Sequence, residues 1–535
     1  MTSSFEPIMS HLDVSQFDDE LKAIVENTQS VTQATTLYYG LGEPVDGLWR
    51  GPKTSPLADM PEPPCQPEWR NITSEADEEL IKKITASAAT PIRSYSLRQL
   101  YLFGVNASNP RNLLSSAQFL HSELPVRFAQ RIQYLNELPF GINRDEFVLS
   151  VRDEYVKAYK LITSFPRPES DADEVEFTRM IRYLLHRNAC FNSARLSHAV
   201  CGGVGVLLRT LRTPQPTGGF GQRKPASAPG QPAPTGGSVG AGATERFLLQ
   251  EYLDRFHVAR LETRLLMAQH VAIHRSIPGY VGLFESKCNP KSVVLEAAAA
   301  SVACMKELFG ADVEVPEVQV RGAVDATLRY PRAHLHYMLM ELLKNAMFAD
   351  ILWARHRKKL FAAHPELKRN AESKSTGSSS DGTPSARKIL VIIADGEEDV
   401  VLKISDRAGG MPRSHTDLLW SYNYGPALAA AVDAEESLAT GRAPYPQIEC
   451  PIPRKASGFG LPMSRLIAQY MGGDLQIYSM HGHGTDAYLY LARLEVQGEI
   501  GLTANPVFTN TAPSHFNPSR DSGSGSGGGG GFKLQ

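Results

Sequence analysis

Glu341 and Asn345, within ELLKNAMFAD, stand four positions apart and share one face of any helix they occupy. A carboxylate beside an amide oxygen can take a proton from a hydroxyl or a water and hold a hard cation. Mg2+ keeps several of its waters, so one Asn carbonyl together with phosphate oxygens makes a sufficient site. The same pair would also make an ordinary solvated stripe. About sixty residues on, ISDRAGGMP puts Asp406 at a strand end with Gly409 and Gly410 close behind. A carboxylate there can accept a hydrogen bond from an exocyclic amine such as adenine N6, and the glycines let the chain turn closely against a ring. SGFGLPMSR then sets Gly458, Phe459, Gly460 and Leu461 at the entry to a helix, where free N–H groups and the helix dipole favour phosphate. Finally HGHGTD brings Gly482, Gly484 and Thr485 before a last strand, the Thr hydroxyl within reach of a phosphate. Each signal alone is equally a turn; the four in this order are jointly strong.

The elements that must position these residues alternate between helix and strand. Val293 to Leu308 and Ala333 to Asp350 read as helices. Lys388 to Ala394 is a strand, turned by Asp395-Gly396 into a second at Val400 to Ile404. Leu461 to Met471 is helical, Gly472-Gly473 stops it, and Asp474 to Ser479 and Thr485 to Leu491 are two further strands. This half is a helix layer on a mixed sheet, an α/β sandwich over about 289–495. The preceding half is different. Ser96 to Phe103, Leu113 to Leu138, Asp145 to Ile162, Glu174 to Leu208 and Arg246 to His274 repeat apolar residues at steps of three and four, which predicts a helical bundle over about 86–288. The fold class expected is α+β with two domains.

Around these lie tracts that cannot bury a core. Residues 1–85 read as an irregular arm with one short helix at Asp19 to Glu26, and the Pro, Gly, Ala and Ser tract 213–244 as a disordered insertion in the bundle. A second insertion is expected at 373–385, a long Pro-interrupted lid at 411–457, and a Gly/Ser-rich disordered tail at 496–535. Hydrophobic residues at 42% and charged residues at 21% are ordinary for a globular chain, and no apolar run is long enough for a membrane span. With 55 basic residues against 57 acidic ones, a net charge of −2 gives no pull toward nucleic acid. The basic run Arg355, Arg357, Lys358 and Lys359 reads as a solvated helix face. Six scattered cysteines with no CxxC argue against a disulfide framework or a zinc site. His270 is expected to be a packed residue and not a metal ligand, no second ligand standing at matching spacing.

The four motifs together resemble the nucleotide-binding fold shared by gyrase-type ATPases, chaperone ATPases, histidine kinases and the mitochondrial 2-oxoacid dehydrogenase kinases. The last branch is the most similar, through ELLKNAM and LDRF…LLMAQH, over roughly Thr90 to Arg493 outside the two insertions. SLRQLYLFG, SAQFLHSELPVRFAQRIQYLNELPFGI and EFTRMIRYLLHRN also look like the bundle of that branch. The resemblance implies a serine kinase that uses ATP and Mg2+, phosphorylates the dehydrogenase component of the pyruvate or branched-chain complex, and switches it off without a phosphohistidine. It implies Glu341 as general base, Asn345 as Mg2+ ligand and Asp406 as adenine reader. It implies Gly410, Gly458, Phe459, Gly460, Leu461 and Thr485 as further contacts to the nucleotide. It also implies a bundle that docks the lipoyl domain of the acyltransferase core, a homodimer, and residence in the mitochondrial matrix. The acidic start, with no Lys or Arg before Lys22, is not a typical presequence.

Departures from the family pattern keep a second hypothesis open. Tyr337 stands one turn before Glu341, where the pyruvate branch has His, and the displaced His336 should point about 100° away. Phe348 replaces an Arg, Ala408 replaces a Gly, and the glycine box Ala456-Ser457-Gly458-Phe459-Gly460-Leu461-Pro462 lacks its first Gly. No Asp-Trp pair occurs near the C-terminus. These changes would suit a noncatalytic lipoyl-domain adaptor, which nucleotide turnover would exclude.

Overall fold

The computed structural model describes residues 78–93, 95–105, 110–138, 142–144, 146–190, 239–274, 277–363, 387–422 and 458–494. The Asp19 to Glu26 helix, the second insertion, the tail, most of the first insertion and most of the lid lie outside the described residues.

Among the described residues, six α-helices form the first half: α1 (Glu78–Ala88), α2 (Leu97–Val105), α3 (Pro110–Asn136), α4 (Glu146–Ser164), α5 (Asp171–Cys190) and α6 (Val239–Ile273). Helix α1 corrects the expectation of an arm irregular through residue 85. It begins on Glu78 and Glu79, suited to the positive end of a helix dipole, and buries Ile84 and Ala88. Helix α6 begins at Val239, inside the expected insertion. A long packed helix propagates past its core residues at little cost, even through Gly240 and Gly242. The bundle core is apolar at Phe128, Phe177, Met180, Ile181 and Leu184. At its centre is a buried ion triad: Arg127 Nε donates to Glu123 at 3.1 Å, and its Nη1 sits 2.9 Å from Glu262 on α6. Leaving either carboxylate there unpaired would be costly, so the triad fixes α3 against α6.

The second half begins with strands that periodicity did not reveal. β1 (Tyr280–Val281) and β2 (Phe284–Cys288) form a hairpin, and β2 pairs antiparallel with β4 (Leu328–Pro331). The stretch up to 288, expected to close the bundle, is therefore sheet and is shared with the second half. Helix α7 (Pro290–Phe309) starts where Asn289 Oδ1 accepts the Ser292 N–H at 3.1 Å, with Pro290 in the first turn.

The main sheet has the order β3-β5-β6-β8-β7, comprising β3 (Glu317–Gly322), β5 (Lys388–Asp395), β6 (Asp399–Ser405), β7 (Asp474–Met480) and β8 (Gly484–Ala492). Only β3–β5 is parallel, in register from Glu317↔Lys388 to Gly322↔Ile393; the other three pairings are antiparallel. One face is covered by α7, by α8 (Arg332–Ala363) and by α10 (Gly460–Tyr470). Along β5 and β6 the inward residues Ile389, Val391, Ile393, Val400, Leu402 and Ile404 are all buried, the period-two pattern of a half-covered sheet. Helix α8 runs well beyond Asp350, because Asp350 pairs with Arg387 at the foot of β5 (2.8 Å) and Trp353 packs over the loop after β6. A short helical turn α9 (Arg413–Thr416) and a 3-10 turn (Asp417–Trp420) make up the described start of the expected lid. The α+β two-domain expectation is met.

Candidate active site

Helix α8 forms one wall of the site. Glu341 is largely buried, and its Oε1 accepts from Lys344 Nζ at 2.6 Å. Burial alone would lower the Lys344 pKa, but the adjacent Glu341 carboxylate holds it above the usual ammonium value. The other carboxylate oxygen faces the first residue of α10. A Cβ on Gly460 would lie 2.1 Å from Glu341 Oε2, so any larger residue there requires the carboxylate or the helix start to move. Asn345, one turn on, is exposed on the same helix. Tyr337, one turn back, is buried, and burial followed by the charge of Glu341 pushes its phenol well above the usual value. His336 is fully buried and burial holds it neutral, its pKa down at about 3.

The adjoining wall comes from the β6 end. Asp406 is nearly buried. Burial raises its pKa, while the backbone N–H groups of Ala408 (2.9 Å) and Thr485 (3.2 Å), both donating to Oδ1, act in the opposite direction. Ala408 therefore keeps the backbone contact that the loop needs, although it replaces a glycine. Gly410 has φ of 62°, and a Cβ there would meet Met480 O at 2.2 Å, so this turn is open only to glycine. The Thr485 hydroxyl lies 3.0 Å from Ser479 Oγ, which in turn accepts the Met411 N–H at 2.9 Å.

The entry to α10 joins the two walls. Gly458 has φ of 70°, and the cap residue Phe459 makes no side-chain hydrogen bond to the helix N-terminus. The N–H groups of Gly460 and Leu461 are left to serve an anion, and Pro462 has none. The Phe459 ring points away from that opening, buried against Tyr422 (5.1 Å between centroids) and His257 of α6 (6.1 Å). Only the backbone of Phe459 can face a ligand. Sequence reading missed the support behind the box: Gln250 of α6 donates to Trp420 O at 2.6 Å and accepts from Tyr422 N at 3.2 Å, and Asp254 accepts from Tyr422 Oη at 2.7 Å. Their polar periodicity within α6 was the available signal. The donor set suits an adenine nucleotide and a hard cation: a carboxylate fixed by two N–H groups, an uncapped helix N-terminus, glycine turns that no Cβ fits, and an exposed amide.

Residues 331–495 match the family model for histidine kinase-, DNA gyrase B- and HSP90-like ATPases, and residues 94–200 match that for the mitochondrial branched-chain alpha-ketoacid dehydrogenase kinase. The chain is 33% identical over 402 residues to the mitochondrial [pyruvate dehydrogenase (acetyl-transferring)] kinase of Arabidopsis thaliana, covering 75% of this chain and 90% of that protein. The chain belongs to the mitochondrial 2-oxoacid dehydrogenase kinase family. The human pyruvate dehydrogenase kinase isozyme 4 is 29% identical over 435 residues, 80% of this chain and 87% of its own. The kinase of Schizosaccharomyces pombe is 27% identical over 461 residues, 78% of this chain and 96% of its own. Among the described residues of this family member, no helix is long and apolar enough to cross a membrane.

Proposed function

We propose that this chain is a mitochondrial protein serine kinase that uses ATP to phosphorylate, and so inactivate, the dehydrogenase component of the pyruvate dehydrogenase complex. The observation that carries the reading is the meeting of Glu341 and Gly460: a carboxylate set against an uncapped helix N-terminus puts a proton acceptor beside a phosphate-binding backbone. The names of the relatives support the substrate. Tyr337 and the branched-chain family match over 94–200 favour a second substrate, the branched-chain dehydrogenase, as the alternative to be assayed. Nothing in the site favours the adaptor.

In this reading ATP supplies the transferable phosphoryl group, and Mg2+ neutralises the charge on its phosphates. Asp406 accepts from the adenine amine, and Gly410 lets the backbone lie close to the ring. The backbone of Gly458, Phe459, Gly460 and Leu461, with the Thr485 hydroxyl, holds the phosphates, and Asn345 offers its carbonyl to Mg2+. Glu341, paired with Lys344, takes the serine proton when the hydroxyl approaches. We place the enzyme in the mitochondrial matrix, with its bundle docking the lipoyl domain of the acyltransferase core. We also propose a homodimer: β7 is an edge strand, and Tyr478 (61% exposed) and Met480 (67%) lie on one of its faces. Labelled ATP and Mg2+ offered with each dehydrogenase separately test the reading, with Glu341→Gln as control. Label on the pyruvate component, lost in the variant, is expected; nucleotide binding without label on either component would overturn it.

A further inference from the structure

A second polar cluster lies outside the nucleotide site, where α5 meets α6. His270 lies in the last turn of α6 and His274 just past its end, four residues on, and Glu174 faces them from α5. Glu174 Oε1 lies 2.7 Å from His274 Nε2 and 3.7 Å from His270 Nε2, and the three donor atoms are all within 4.8 Å of one another. A fourth donor closes the group: Thr178 Oγ1 is 2.7 Å from Glu174 Oε1, 2.8 Å from His270 Nε2 and 3.4 Å from His274 Nε2. Four donors at about 2.1 Å around a tetrahedral zinc would be about 3.4 Å apart, so the cluster already has nearly the right size.

The supporting contacts aim the donors inward. His274 Nδ1 donates to the carbonyl of His270 at 2.8 Å, which directs its Nε2 toward Glu174. A ring proton or a metal ion can bridge that nitrogen and the carboxylate, and only a metal ion would hold His270 Nε2 and Glu174 together with it. His270 Nδ1 is held 2.8 Å from Ser116 Oγ, the outer hydrogen bond that metal-binding imidazoles usually make. His270, Glu174 and Thr178 are 2–4% exposed, and Phe177 packs against His270, so the site is dry on one side; His274, at 18% side-chain exposure, provides the way in. The expectation that His270 lacks a partner at matching spacing is corrected here. His274 follows four residues later, and the third ligand comes from another helix, which sequence spacing does not show.

The geometry points to a structural Zn2+ site formed by Glu174, His270 and His274, with Thr178 or a water as the fourth donor, cross-linking α5 to α6. It is separate from the Mg2+ of the nucleotide site and stands whether or not the kinase reading does. Full-length chain without a histidine tag, stripped with chelator, is titrated with Co2+ alone. The visible absorption of tetrahedral Co2+ should saturate at one equivalent, be displaced by Zn2+, and be lost in Glu174→Gln and His274→Gln. Zn2+ should also raise the melting temperature of the parent chain by several degrees and leave that of the variants unchanged. No tetrahedral spectrum in the parent chain, or one that persists in both variants, overturns the proposal. X-ray absorption of the Zn2+-loaded parent chain needs no variant: two imidazoles with oxygen at about 2.0–2.1 Å support the site, whereas sulfur or a single imidazole refutes it.

Discussion

The carboxylate oxygen of Glu341 occupies the space that a Cβ on residue 460 would need, 2.1 Å from it. The proposed proton acceptor and the proposed phosphate-facing helix start are thereby fixed relative to each other, and one substitution should disturb both. Gly460→Ala must displace Glu341 or tilt α10. Labelling of the dehydrogenase should fall at least about 100-fold, with weakened nucleotide binding, because misplacement of about 1 Å is enough for such a loss. Glu341→Gln should lose labelling but keep nucleotide affinity. Calorimetric titration with a nonhydrolysable ATP analogue separates the two, and equal affinity in both variants would contradict the coupling.

Asp406 has a structural duty beside its proposed adenine contact, since its Oδ1 receives the Ala408 and Thr485 N–H groups. Asp406→Ala should cost about 1–3 kcal/mol of stability as well as nucleotide affinity. In Asp406→Asn the amide oxygen can still accept both N–H groups, so stability in urea should be nearly restored. If the adenine reading holds, affinity should not recover.

Ala408 acts on Asp406 through its backbone, and that contact survives loss of the methyl group, so Ala408→Gly should change kinase activity by no more than about twofold, or about 0.4 kcal/mol in the barrier. A large gain in activity would show that the native alanine cripples the site and would revive the adaptor hypothesis.

Asp254 gives a pH dependence. Burial raises its pKa from the ordinary 3.8 to about 6, against the opposing effect of the Tyr422 hydroxyl. The folded chain holds this proton more tightly than the unfolded one, so the contribution is full below about pH 4 and lost as pH rises through about 6. Asp254→Asn should remove that slope and leave the chain more stable at pH 7 by at most about 3 kcal/mol. Urea midpoints from pH 4 to 7.5 would read it, and parallel profiles for the two proteins would refute it.

Arg127 should be among the least replaceable residues of the bundle, its side chain being 1% exposed between Glu123 and Glu262. Arg127→Met strands both carboxylates and should cost about 3–5 kcal/mol in urea unfolding.

Much of the candidate site was legible because its residues are placed by local chain geometry. Gly458, Gly460 and Gly410 are required by turns and close approaches that a motif can encode, and Glu341 and Asn345 declare themselves by helical spacing. The rest depends on chain segments distant in sequence. β3 and β4 are short, partly exposed strands whose partners lie in other segments, so their alternation is faint. Helix α1 is a single apolar seam next to a Pro-rich tract. Gln250 and Asp254, which hold the root of the lid, look like ordinary polar positions on α6 until Trp420 and Tyr422 are brought to them. The third donor of the His270 cluster likewise comes from another helix.

The parallel pairing of β3 with β5 also bears on how the chain assembles. The hairpins β5–β6 and β7–β8 close over short turns and can form early, whereas β3 can join only after α8 and the segment that follows it have emerged. During synthesis β3 therefore waits as an unpaired strand until β5 appears, and the β6–β8 pairing, which bridges a still longer stretch of chain, should close the sheet last.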